Sequence, residues 1–151
     1  MTEATAAFVG TWADGLLTAG GDIEQVRRVV SAFRDNGGAG KPVHIQHALS
    51  WAATEEEALA NALDQWSAVA LGGDAAWDLR TPRDFDQVGK LVTEDSIRTC
   101  VAVSADLGRH AGWLQDLSQL APDAIHLHCV GRNQSGFIEA FAGHVMPRLR
   151  D

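Results

Sequence analysis

At 151 residues the chain has room for one domain with a substantial core, and 46% hydrophobic against 21% charged residues is a globular balance, not a disordered one. A net charge of −8 with no basic cluster argues against a nucleic-acid partner, and no apolar run approaches the ~20 residues of a membrane helix. The acidic start MTEATAAF is unlike a signal peptide, and Cys100 and Cys129 have neither CxxC nor metal-like spacing, so the expectation is a cytoplasmic protein with two reduced thiols.

Residues 2–12 read as a short helix with Ala4, Ala7, Phe8 and Val9 as its apolar stripe. LLTAGG follows as a buried strand ending in two glycines. Asp22 caps a second helix, in which Ile23, Val26, Val29, Val30 and Phe33 recur at helical spacing until Gly37 and Gly38 stop it. VHIQHALSW is a second strand. A helix then starts at Thr54, three residues ahead of Glu57, which is the spacing of a capping box. The acidic run Glu55-Glu56-Glu57 complements the dipole of its first turn and carries no catalytic expectation.

LGGDAAWDLRTP reads as a loop, and Thr81-Pro82 opens a helix with proline at its favoured first position. Thr93 and Asp95 begin a further helical turn through Ile97. CVAVSA (100–105) is strand-like but short. A helix over 107–120 ends before Pro122, AIHLHCVG (124–131) is the third clear strand, and Asn133 is expected to cap a last helix running to about Pro147. Trp66, Trp77 and Trp113 are expected to pack the outer helices.

Helices separate every clear strand from the next, so the sheet should be parallel with right-handed crossovers. Three parallel strands leave two unpaired edges, which is few for a freestanding α/β domain. Ligands of such folds bind at the C-terminal ends of the strands, where this sequence carries His44, Gln46, His47, Ser50 and Trp51.

Three segments, WADGLLT (12–18), QHALSWAATEEEALANALDQW (46–66) and HLHCVGRNQSGFIEAFAGHVMPRLR (126–150), resemble in their order and spacing the luciferase-like monooxygenase superfamily. The nearest likeness is to the deazaflavin (coenzyme F-420) glucose-6-phosphate dehydrogenase group and its flavin-using relatives. The resemblance implies a partial (β/α)8 TIM barrel, with these strands as roughly the sixth to eighth and a helical insertion between the last two. A whole barrel takes ~250 residues, so residues 1–151 correspond to its C-terminal half. The usual catalytic His or Glu of the family lies in the other half, and no catalytic residue carries over.

What the resemblance does imply is a C-terminal rim. Thr18, Gly20, Gly21, Gln46 and Trp51 are the expected contacts of an FMN or F-420 cofactor, and His44, His128 and Arg132 those of a small organic substrate. Gly20-Gly21-Asp22 at a helix start has free N–H groups suited to a phosphate, although Asp22 opposes one and relatives that bind a sugar phosphate carry Lys there. An inward His or Gln can hydrogen-bond a flavin ring or act as acid or base, with a structural role as the alternative. His126 and His128 share a face, but a metal needs a third ligand and the resemblance implies none. Arg132 can clamp a phosphate or carboxylate, or stay a solvated loop residue.

Two functions follow. One is an oxidoreductase half-barrel completed by an N-terminal half or by homodimerisation. The other is a non-catalytic half-barrel binding or assembly module.

Overall fold

The computed structural model describes residues 1–20, 22–71 and 78–149. Helix α1 (Glu3–Gly10) leads into strand β1 (Leu16–Ala19) and helix α2 (Ile23–Phe33), which ends in a π-helical turn over Arg34–Gly38. Strand β2 (Val43–Ser50) and helix α3 (Glu55–Ala70) follow. Next come α4 (Pro82–Gly89), α5 (Glu94–Arg98), the two-residue strand β3 (Ala102–Val103) and α6 (Leu107–Ser118). Strand β4 (Ala124–Cys129) and α7 (Gln134–Ala140) complete the order, with a π-helical and a 3-10 turn after them. Residues 72–77 of the expected loop at 71–82, Trp77 among them, lie outside the described residues.

Every strand pairing is parallel. Strand β2 is the centre: residues 43–46 pair with β1, 44–49 with β4, and 49–50 with β3. A residue has only two ladder neighbours, so β1 and β3 share one edge of β2 and β4 takes the other. Strand β3 extends that edge beyond the end of β1, which explains why CVAVSA yields only two paired residues. Among the described residues the outer edges of β1 and β4 pair with nothing.

The alternation of β2 divides the sheet into two faces. Leu16, Val43, Ile45 and Leu49 pack with Val26, Val29, Val30 and Phe33 of α2, Leu114 and Leu117 of α6, and Phe137 of α7. This is the larger core, on the helix side. A second, smaller cluster lies on the other face at the C-terminal end of the strands. There Ala48 and Val103 meet Ala58, Ala62, Leu63 and Trp66 of α3 and Ile97 of α5. Below that cap the inner face is open, with Leu17 and His126 exposed and His44 and Gln46 half-buried.

Several local expectations are refined. The helix α1 stripe is shifted: Ala6 and Gly10 are buried while Phe8 is 66% exposed. Gly10 sits where a Cβ would meet the Phe33 carbonyl at 2.6 Å and that of Asn36 at 2.8 Å, so α1 docks backbone-to-backbone on the turn after α2. Gly37 adopts φ +97°, the left-handed conformation that ends α2. Thr54 accepts from the Glu57 amide at 3.2 Å, and the reciprocal capping box forms instead between Thr81 and Asp84. Asn133 makes no side-chain cap: its backbone is not extended (ψ 44°), its nitrogen donates to the Trp51 carbonyl at 2.8 Å, and its oxygen, the atom a cap uses, is buried without a partner.

Candidate site on the open face of the sheet

The two-residue period of β2 and β4 puts His44, Gln46, Ala48, Ala124, His126 and His128 on the inner face. Their side chains meet diagonally across the ladder. His126 Nε2 and His44 Nδ1 lie 3.1 Å apart, and one register step higher Gln46 Nε2 and His128 Nδ1 lie 3.0 Å apart. The rings of His44 and His126 are tilted, with centroids 5.1 Å apart. Trp66 approaches His128 edge-to-face at 4.5 Å. Thus Trp66 packs over the sheet's inner face rather than among the outer helices. His128 is fixed from two sides, by Gln46 and Trp66, whereas His44 and His126 hydrogen-bond only to each other among the described residues.

Other residues of the expected rim lie elsewhere. Thr18 is inside β1, 4% exposed, and belongs to the helix side of the sheet. Gly20 lines a cavity on that same side, and Gly21 is outside the described residues. Trp51 packs against the helix-side core and its indole donates to the Ala105 carbonyl at 3.1 Å. Arg132 pairs with Asp64 at 3.5 Å, with both side chains more than 60% exposed, so the pair is screened and worth little. The loop that carries it is closed on itself: the Gln134 amide donates to the carbonyls of Cys129, at 3.0 Å, and Gly131. The structure therefore brings Gln46, His44 and His128 together, adds His126, and separates Thr18, Trp51 and Arg132 from them.

Helix α3 is tied down from its first turn. Ser50, fully buried, donates to the Ala58 carbonyl at 2.7 Å. Glu55 accepts from the Ala105 amide at 2.8 Å and from Arg98 at 3.0 Å. The Ala105 amide is the main reason that the Glu55 carboxyl sits below its ordinary range, with Arg98 adding to it. Glu55 thus does more than complement a dipole: it anchors α3 to the segment after β3.

Strand alternation puts His47 on the opposite face of β2 from His44, and the packing of the helices decides which face each one takes. His47 points to the helix side, is 5% exposed, and its Nε2 is buried without a hydrogen-bond partner. Burial, with a smaller contribution from His110, pushes its pKa down to about 4. It borders a cavity of about 230 Å³ whose walls include Gly20, Asp22, Arg98, Trp113 and Asp116. His110 is fully buried, with Nε2 2.9 Å from the Ser104 carbonyl, and burial lowers its pKa as well. Burial raises the pKa of Cys129, and both cysteines are free thiols. No cluster of three or more metal-ligating side chains is found among the described residues.

No protein-family model matches the sequence, and no curated protein matches it. Solved structures do. The chain superposes over its full length on an F420-dependent secondary alcohol dehydrogenase (TM-score 0.81, 15% identity), of which it covers 47%. It matches the coenzyme F420-dependent tetrahydromethanopterin reductase of Methanopyrus kandleri with a TM-score of 0.69 and 18% identity, over 96% of this chain and 48% of that one. A riboflavin lyase, solved with modified FMN, follows at 0.58 and 21%, over 99% and 41%. At these identities the likeness establishes the fold alone, the barrel fold that the resemblance of the three segments implies. The chain spans about half the length of the structures it matches, and its parallel sheet with flanking helices is part of their (β/α)8 barrel. No helix among the described residues is long and apolar enough to cross a membrane.

Proposed function

We propose that this chain supplies the C-terminal half of the site of a flavin- or deazaflavin-dependent oxidoreductase of the luciferase-like type, and that it works once a second half closes against its sheet. The observation that carries this reading is the open inner face, polar at its centre and bounded by unpaired strand edges with apolar rims. On the β1 side Phe8, Trp12 and Leu17 are each more than 60% exposed, with Phe8 and Trp12 in edge-to-face contact at 6.2 Å. Beside β4 lies a groove of about 260 Å³ lined by Ala124, Ile125, Leu127, Met146 and Leu149. Large exposed hydrophobics beside free strand edges are what a closing partner buries.

The inner-face residues suit a planar, hydrogen-bonding ring. Gln46 keeps its amide oxygen free of hydrogen bonds to the described residues while its nitrogen holds His128, and Trp66 supplies an aromatic wall. A bound FMN or F-420 supplies the hydride-transfer chemistry. The role of this chain is to orient the ring through Gln46 and His128, present His44 towards the substrate, and exclude water under α3. The closing half is a complementing N-terminal segment or a second copy.

The test is to titrate the purified chain with FMN and with F-420, following their absorbance and fluorescence, while measuring its mass by light scattering. The expected result is self-association together with a spectral change that Gln46→Leu abolishes. A monomer that leaves both spectra unchanged, alone and mixed with a complementing half, overturns the oxidoreductase reading. A stable oligomer that binds neither cofactor points instead to a non-catalytic assembly module.

A further inference from the structure

The pairing of His44 with His126 is not explained by what the fold requires. His126 is exposed and His44 half-buried, so water can satisfy either ring, and no burial penalty forces them together. Yet two ring nitrogens on adjacent strands face each other at 3.1 Å. Gln46 and Trp66 engage the neighbouring His128, and among the described residues the His44 and His126 rings hydrogen-bond only to each other.

The spacing fits a shared ion. Two imidazole nitrogens bound to one tetrahedral zinc at 2.0–2.1 Å stand roughly 3.3 Å apart. A hydrogen bond between the rings needs a proton on one of the two facing nitrogens. Moving that proton to the far nitrogen of the same ring, a change of tautomer without net loss of charge, leaves both lone pairs facing the gap. The far nitrogens then donate to solvent, as the outer nitrogen of a metal-bound histidine does.

We propose that His44 Nδ1 and His126 Nε2 form a weak, exchangeable two-imidazole chelate for one divalent transition-metal ion of the zinc class, with water in the positions that a tight zinc site fills with a third and fourth protein ligand. Imidazole favours such borderline ions over magnesium or calcium, which take oxygen ligands. The proposal does not rest on the cofactor reading or on closure by a second half, because both ligands come from one chain.

Calorimetric titration of the full chain with Zn²⁺ in a non-coordinating buffer tests it, with Mg²⁺ as the hard-ion comparison. One zinc per chain is expected, and no heat from magnesium. His44→Ala and His126→Ala should each weaken binding by roughly tenfold or more, since losing even a ligand's supporting partner costs that much. His144→Ala, at an exposed site in the C-terminal turn, should leave binding unchanged. In the unmutated chain, substoichiometric Ni²⁺ should broaden the imidazole proton resonances of His44 and His126 first, a readout independent of any variant's folding. Absence of zinc binding, unchanged binding in the double variant, or broadening centred on other histidines overturns the assignment.

Discussion

The sharpest stability prediction concerns His47. Its folded pKa of about 4 lies below the ordinary 6.5, so between these values the unfolded chain binds a proton that the folded chain refuses. Stability from this group is therefore fully present above pH 6.5 and is lost as the pH falls towards 4. Linkage over that gap gives a loss of about 2 kcal/mol between pH 7 and pH 5. For a chain of this size the melting temperature should fall by roughly 4–8 °C on that account. Thermal unfolding of the parent and of His47→Leu, followed by circular dichroism at both pH values, measures it. His110 shifts in the same direction and adds to the parent's drop, so the difference between the two proteins isolates His47. At pH 7 the leucine variant should be no less stable, because it removes a buried nitrogen that has no partner. If the two proteins lose stability equally on acidification, His47 is not buried as a neutral imidazole and the reasoning fails.

Two further substitutions test the packing. Gly10→Ala should destabilise by about 1–3 kcal/mol in chemical denaturation, because a Cβ there meets two backbone carbonyls that cannot swing aside; a neutral result would mean that α1 does not dock closely on the turn after α2. Leu114→Ala, at a side chain 1% exposed in the larger core, should cost about 2–5 kcal/mol, and a loss well under 1 kcal/mol would show that α6 does not seal that core.

How much of this was legible in the sequence differs by element. Strand β2 and helix α3 were readable because alternation in VHIQHALS and the Thr54 cap are local signals. Alternation also sorted His44, Gln46 and Ala48 from Ile45, His47 and Leu49. It could not say which set faced the helices, since both contain a histidine and a parallel strand is apolar on both sides. That choice decides the site, and it depends on where α2 and α6 pack. Thr18 and Trp51 were expected on the rim from the resemblance, and a place at a strand's end does not fix a face: both lie on the helix side. The link from His44 to His126 spans 82 residues and arises only from the register of β2 with β4. Asn133 misled in another way: an asparagine before a helix reads as a cap, but its backbone is not extended there, and its nitrogen's bond to the Trp51 carbonyl goes with an acceptor oxygen that is buried without a partner.

The division of the apolar residues into two clusters on opposite faces sets an order in which the molecule can come apart. The helix-side cluster contains Phe33, Ile45, Leu49 and Leu114, whereas the one under α3 relies on small side chains such as Ala58 and Ala62. Helix α3 is held by that smaller cluster, by the buried bond from Ser50, and by the ties through Glu55. Amide protons of α3 should then exchange with solvent through partial openings that leave β2 and β4 protected, whose own exchange requires global unfolding. Such a pattern would make the cap over the upper part of the polar face a separate cooperative unit that lifts while the scaffold beneath keeps its shape.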